Sequence, residues 1–320
     1  MIALLKSHLD GDDAEFLSVA MQAAAYEARL GHANVAEQLK DLVEQTKRRK
    51  SAVQSRPGQL MVLEPRGELS HLLSVQVPQM RLGDMALPSI LSERLHRILI
   101  EQRQQKTLRE HGLTPRRKIL LIGPPGCGKT LTASALAGEL HIPLFTILLE
   151  GLITRFLGET AAKLKLVFDA IRQTKGVYLF DEFDALGAHR TQVNDVGEIR
   201  RVLNSFLQLM DKDDSPSLIV AATNHPDMLD KALFRRFDDV IEYKLPDPEI
   251  AREILMRKLS TFGTNALCWD DLLPETAGLS HAELARASEE AAKRAILHET
   301  GRISNLVLLD ALRERRAASR

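Results

Sequence analysis

The chain has 320 residues, enough for two or three compact units, and its 44% hydrophobic and 27% charged residues are those of an ordinary soluble globular protein. A formal net charge of zero and an aromatic content of 4% disfavour a surface built throughout for nucleic acid. No apolar run is long enough to span a membrane, and the first residues lack the marks of an export signal. Cys127 and Cys268 are the two cysteines and fit a reducing cytoplasm.

Residues 1–50 are expected to form a helical N-terminal region. Asp12, Asp13 and Glu15 suit the start of a helix running to Leu30, Gly31 fits its end, and Val35, Leu39, Leu42 and Val43 keep helical spacing beyond it. Such a region is either a docking module for a protein substrate or adaptor, or an appendage that packs on the main body. The basic run Lys47-Arg48-Arg49-Lys50 opens a polar stretch, and residues 51–80 read as a linker. Leu91 to His111 reads as a helix.

Residues 81–246 read as an α/β domain. Strands are expected at 118–122, 144–149, 177–180, 218–222 and 240–243, alternating with helices; mostly apolar strands of this kind mean a parallel sheet covered on both faces. Thr160 is expected to cap the helix that follows the second strand. Residues 247–320 read as an all-helical second domain. Asp247-Pro248 suits a helix start, and Ser280-His281-Ala282-Glu283 has the form of a capping box.

The chemistry concentrates where the first strand meets its helix. Gly123-Pro124-Pro125-Gly126-Cys127-Gly128-Lys129-Thr130 fits G-x-x-x-x-G-K-[ST], a phosphate-binding loop. Its glycines let backbone N–H groups turn toward an anion, and the helix N-terminus adds positive partial charge. The residues from Gly123 through Leu131 are the candidate nucleotide contacts, with Lys129 reaching the β- and γ-phosphates and the Thr130 hydroxyl ligating Mg²⁺. Asp181 and Glu182 end the third strand, in the usual ligand crevice of an open α/β sheet. Asp181 can hold Mg²⁺, and Glu182 can polarise a water that attacks the γ-phosphate. Asn224 ends the next strand, where its amide is either a γ-phosphate contact or an ordinary turn residue. Arg235 and Arg236 are either phosphate-directed arginines or a surface pair. Cys127 is a small residue of the loop or a redox switch.

The succession GPPGCGKT, VYLFDEFD, AATN and ALFRRFDD resembles the AAA family of ATPases over about residues 80–315. The resemblance implies a P-loop NTPase sheet of five parallel strands in the order 5-1-4-3-2, with a C-terminal helical lid. It implies ATP and Mg²⁺ as ligands and a homo-hexameric ring with nucleotide between subunits. Lys129 and Thr130 then match the Walker A residues, Asp181 and Glu182 the Walker B pair, and Asn224 sensor 1. Arg235 and Arg236 match the arginine fingers, which act on the neighbouring subunit's ATP, although they lack the Pro-Gly spacer of many members. Phe156, Leu157 and Gly158 match the first pore loop, and 187–197 lies where a second would be. Gly83-Asp84-Met85-Ala86 matches the segment beside adenine. Gly278 to Glu283 resembles a lid motif that uses no sensor-2 arginine.

The expected function is an ATP-driven remodeller that threads a protein substrate through a central pore. The alternatives are a nucleotide-gated regulatory or antitoxin-like partner of a separate effector, and, third, a DNA-acting ATPase. Similarity to compact bacterial members encoded beside subtilisin-like proteases makes a separately encoded serine protease a candidate partner.

Overall fold

The computed structural model describes residues 67–152, 157–186, 196–263, 267–297 and 302–318. The expected helical region 1–50, most of the linker, Phe156 and most of the second pore-loop segment lie outside them. Leu157 and Gly158 fall in the first turn of a helix, and only their backbone is described.

In chain order the strands are β1 (Leu73–Gln76), β2 (Lys118–Ile122), β3 (Leu144–Ile147), β4 (Val177–Phe180), β5 (Leu218–Thr223) and β6 (Asp239–Glu242). They form one sheet in the order β1-β3-β4-β5-β2-β6. Strands β2 to β6 pair in parallel, and β1 adds antiparallel to β3, with Leu73 opposite Ile147 and Gln76 opposite Leu144. The expected five-stranded sheet is therefore corrected to six. The five parallel strands keep their expected order among themselves, and the added edge strand comes from a segment read as linker. Its sequence, Leu-Ser-Val-Gln, is short and half polar, as edge strands are.

Helices cover both faces. These are α1 (Ser89–Arg103), α2 (Gln105–Glu110), α3 (Lys129–Leu140), the single turn α4 (Leu149–Leu152), α5 (Leu157–Gln173), α6 (Val196–Lys212) and the single turn α7 (Lys231–Phe234). Period-two alternation sorts the strand side chains. Leu120, Tyr178, Phe180, Ile219 and Ala221 face α5 and α6 through Val167, Phe168, Ile171, Phe206 and Met210. Ile119, Leu121, Val177, Leu179, Val220 and Ile241 face α1 and α3 through Leu95, Ile98, Ala133 and Leu136. Burial on both faces is why these strands are continuously apolar. Two expected boundaries shift. Helix α5 begins at Leu157, so Thr160 is not its cap but lies inside it, 2% exposed. The expected helix Leu91 to His111 is interrupted at Gln104.

The chain then forms α8 (Pro248–Lys258), the single turn α9 (Trp269–Leu272), α10 (His281–Leu297) and α11 (Asn305–Ala318). Asp247 caps α8 by accepting from the Ile250 N–H at 2.8 Å, with Pro248 in the first turn. The capping box before α10 forms as read: the Glu283 N–H donates to Ser280 Oγ at 3.3 Å, and the Ser280 N–H to Glu283 Oε2 at 2.7 Å. A separate core of Ile250, Leu255, Leu284, Ala287, Leu308 and Leu312 holds this helical unit together. Among the described residues no helix is long and apolar enough to cross a membrane.

Candidate active site

Strand β2 delivers the chain into the loop 123–128, and α3 starts at Lys129, immediately after it. Gly126 and Gly128 hold φ at +74° and +95°, a left-handed backbone open to glycine and strained for other residues. These turns wrap the loop around the start of α3, whose unpaired N–H groups and dipole favour an anion. The donor set therefore fits a polyphosphate.

Lys129 is 6% exposed. Its ammonium donates to the Gly123 carbonyl at 2.7 Å, the Pro124 carbonyl at 2.8 Å and Asn224 Oδ1 at 2.7 Å. Burial pulls its pKa below the ordinary lysine value, and the charges of Asp181 and Asp184 oppose that shift. An anion in the loop would favour the charged form further. Thr130 Oγ1 donates to Asp181 Oδ2 at 2.7 Å, so the two expected Mg²⁺ ligands lie side by side. They are oxygen donors, the set a hard cation bound with substrate phosphates uses.

Glu182 follows Asp181, exposed, with φ at +49°. Its N–H donates to Asp181 Oδ1 at 3.0 Å. On the neighbouring strand, Thr223 Oγ1 donates to Asp184 Oδ1 at 2.8 Å, tying the end of β5 to the turn after β4 and placing Asn224 against Lys129. One cleft of about 510 Å³ brings Lys129, Thr130, Asp181, Glu182 and Asn224 together, and Pro125 to Leu131 line it. Gly123 and Pro124 act there through their carbonyls on Lys129.

Arg235 and Arg236 are not among the cleft's lining residues. Both lie just past α7. Arg236 is tied down, its Nε 3.3 Å from Asp211 Oδ2 and its Nη1 donating to the Ala232 carbonyl at 2.9 Å. Arg235 is exposed. Cys127 is 1% exposed, and burial pushes its thiol pKa up against the opposing charge of Lys129. A protonated, buried thiol lacks what a redox switch needs.

Residues outside the phosphate loop and the strand ends also line the cleft. The turn before α1 contributes Met80, Asp84, Met85 and Ala86, of which the last three lie in the segment expected beside adenine. The helical unit contributes Ile254, Arg257 and Lys258 from the end of α8, and His281, Ala282 and Ala285 from the start of α10. The capping box marks where α10 begins, but no periodicity shows which wall its first residues form.

A parallel sheet with a phosphate loop between its first parallel strand and the following helix, acids on one neighbouring strand end and an amide on the next, defines a P-loop nucleoside triphosphatase. The sequence profile of the ATPase family associated with various cellular activities (AAA) matches residues 119–245. A Sinorhizobium fredii protein named as an uncharacterized AAA family ATPase, y4kL, is 34% identical over 327 aligned positions, covering 100% of this chain and 97% of the relative. The proteasome-activating nucleotidase of Pyrococcus furiosus is 35% identical over 69% of this chain and 58% of its own length. The ATP-dependent zinc metalloprotease FtsH of Helicobacter pylori is 34% identical over 71% of this chain and 37% of its own length. The chain belongs to the AAA family of ATPases, and it hydrolyses ATP.

Proposed function

We propose that this ATPase acts as a homo-hexameric ring in the cytoplasm and uses ATP hydrolysis to remodel or unfold a protein substrate by drawing it through a central pore. The observation that carries this reading is a division of the machinery. Lys129, Thr130, Asp181, Glu182 and Asn224 share one cleft, while Arg235 and Arg236 lie outside it. A site that needs an arginine on its γ-phosphate would take it from a neighbour, which makes hydrolysis depend on assembly.

Within the cleft, Lys129 binds the β- and γ-phosphates, and the loop N–H groups between Gly123 and Leu131, of which Pro124 and Pro125 have none, hold the remaining oxygens. Thr130 and Asp181 would hold Mg²⁺, which would supply positive charge against the phosphates. Glu182 takes the proton of the attacking water, and Asn224 orients that water or the γ-phosphate. Phe156, Leu157 and Gly158 grip an extended polypeptide. The two shorter-covered relatives support a protein substrate, since their names tie them to a proteasome and to proteolysis. This chain spans only part of each, so their proteolytic associations are theirs. For this chain we propose docking through residues 1–50 and a separately encoded serine protease as a partner.

The test is a substrate trap. Glu182→Gln, purified with ATP, is expected to hold nucleotide, run at ring size and retain a specific protein. Phe156→Ala is expected to keep most ATPase activity and lose remodelling of that protein. A Glu182→Gln protomer or dimer that retains one partner without threading it would overturn the remodelling reading in favour of a nucleotide-gated regulator. Retention mainly of nuclease-sensitive nucleic acid would overturn it in favour of a DNA-acting enzyme.

A further inference from the structure

His281 is the first residue of α10 and lines the nucleotide cleft. The next residue ties this turn to the phosphate loop, the Ala282 N–H donating to the Gly126 carbonyl at 3.0 Å. Among the described residues, the buried side-chain nitrogen or oxygen atoms without a hydrogen-bond partner are Nδ1 and Nε2 of His281. Burying polar atoms unpaired forfeits their hydration, and native structures rarely tolerate it without a reason. An imidazole kept in that condition, in the wall of a binding cleft, points to a partner that arrives with the ligand.

Its neighbours indicate which part of the ligand. The Ala86 backbone approaches the ring without closing a hydrogen bond of normal geometry, which leaves the ring's polar edge open to a ligand, and Met85, Ile254 and Ala285 line the same cleft. Such apolar surroundings suit a flat base, whereas Lys129, Thr130 and Asp181 suit phosphate. The charged groups that share the cleft with the ring are Asp84, Lys129, Asp181, Glu182, Arg257 and Lys258, with Glu283 on its own helix and Asp247 at the head of α8. Of these, Asp247 raises the ring's pKa, as does the Ala86 backbone, but burial is the larger influence and lowers it below the usual 6.5.

We propose that His281 is a nucleoside-recognition residue that hydrogen-bonds the base of the bound nucleotide through a neutral ring nitrogen. This rests on the reading of the cleft as the ATP site. A bound base excludes water from the ring and makes it harder to charge, so binding weakens as the ring protonates.

The experiment is calorimetry of ADP and of inorganic pyrophosphate on the full chain, from pH 5.5 to 8. His281→Ala is expected to bind ADP about tenfold more weakly, about 1.4 kcal/mol, with pyrophosphate affinity unchanged. His281→Asn, which keeps a donor and an acceptor but does not titrate, is expected to recover most of the ADP affinity at pH 7. The ratio of wild-type to His281→Asn affinity is then expected to fall only toward the acid end of that range, below the ring's lowered pKa, ADP's own protonation cancelling in the ratio. Thermal melts without ligand are expected to show neither variant less stable than wild type. ADP bound equally by His281→Ala and wild type, or ADP and pyrophosphate weakened alike, overturns the proposal. Lys129→Ala binding ADP as wild type does would instead overturn the cleft as the ATP site.

Discussion

Glu182 carries φ of +49° at the edge of the cleft, a conformation uncommon for a residue with a side chain. Backbone strain of this kind is worth about 1–3 kcal/mol and persists where surroundings impose it. Here the imposition is visible: the Glu182 N–H is drawn onto Asp181 Oδ1, while the other oxygen of Asp181 accepts from Thr130. The strain thus follows from turning two consecutive carboxylates in different directions, one inward to the Thr130 hydroxyl and one outward toward solvent. Glu182→Gly should relieve it. We expect an unfolding midpoint in urea at or above that of wild type, together with a fall in ATP turnover of about 10²–10⁴-fold, the usual contribution of a general base. A clear loss of stability in Glu182→Gly would show that the left-handed backbone is no burden. Asp181 and Glu182 were legible in the sequence because the apolar run Val177 to Phe180 fixes where the strand ends. The strain was not, because φ depends on which neighbour captures the N–H.

At the level of elements, the phosphate loop and the helical unit are built against one another. The Gly126 carbonyl accepts from the first turn of α10, and a Cβ on Gly126 would lie 2.7 Å from Ser280 Oγ and 3.1 Å from the Ala282 Cβ. The glycine thus serves the contact with α10 as well as the turn. Gly128 separates these roles: its φ is also left-handed, but a Cβ there would meet only the Met85 Cε, at 3.4 Å. Either alanine variant pays the backbone penalty of about 1–2 kcal/mol. We expect Gly126→Ala to be the more destabilised in urea and the more readily cut by protease at the connection around Pro246 and Pro248. Equal behaviour of the two would mean that α10 does not depend on the loop for its seat. The sequence revealed both partners of this contact, one as a motif and one as a capping box, but not that they touch. It missed β1 for a related reason. Leu73–Gln76 is held in the sheet by backbone pairing to β3, some seventy residues along the chain, and its local composition, between Gly67 and Pro78, is that of a connector. The parallel strands were easier to read because burial on both faces writes itself into composition.

Across the whole molecule, the two adjacent arginines are no longer equivalent. Arg236 is engaged by Asp211 and the Ala232 carbonyl. Arg235 is exposed and, among the described residues, makes no side-chain hydrogen bond or ion pair. A side chain already held within its own subunit must break those contacts to reach elsewhere, so of the two Arg235 is the one we propose to act on a neighbour. Arg235→Ala should leave ADP affinity intact and lower ATP turnover about 10³-fold or more, within the range for arginines that stabilise phosphoryl transfer; Arg236→Ala should lower turnover less. The mode of action can be read by mixing. Lys129→Ala has no working site but an intact arginine, and Arg235→Ala has the reverse. In rings with head-to-tail interfaces assembled from an equal mixture, about a quarter of the interfaces pair an intact site with an intact arginine. Two preparations that are inactive alone should therefore regain turnover when mixed and allowed to exchange subunits, up to about that fraction if interfaces act independently. If subunit exchange is verified and no activity returns, Arg235 acts inside its own subunit or not on ATP at all, and the division of the site between neighbours is wrong.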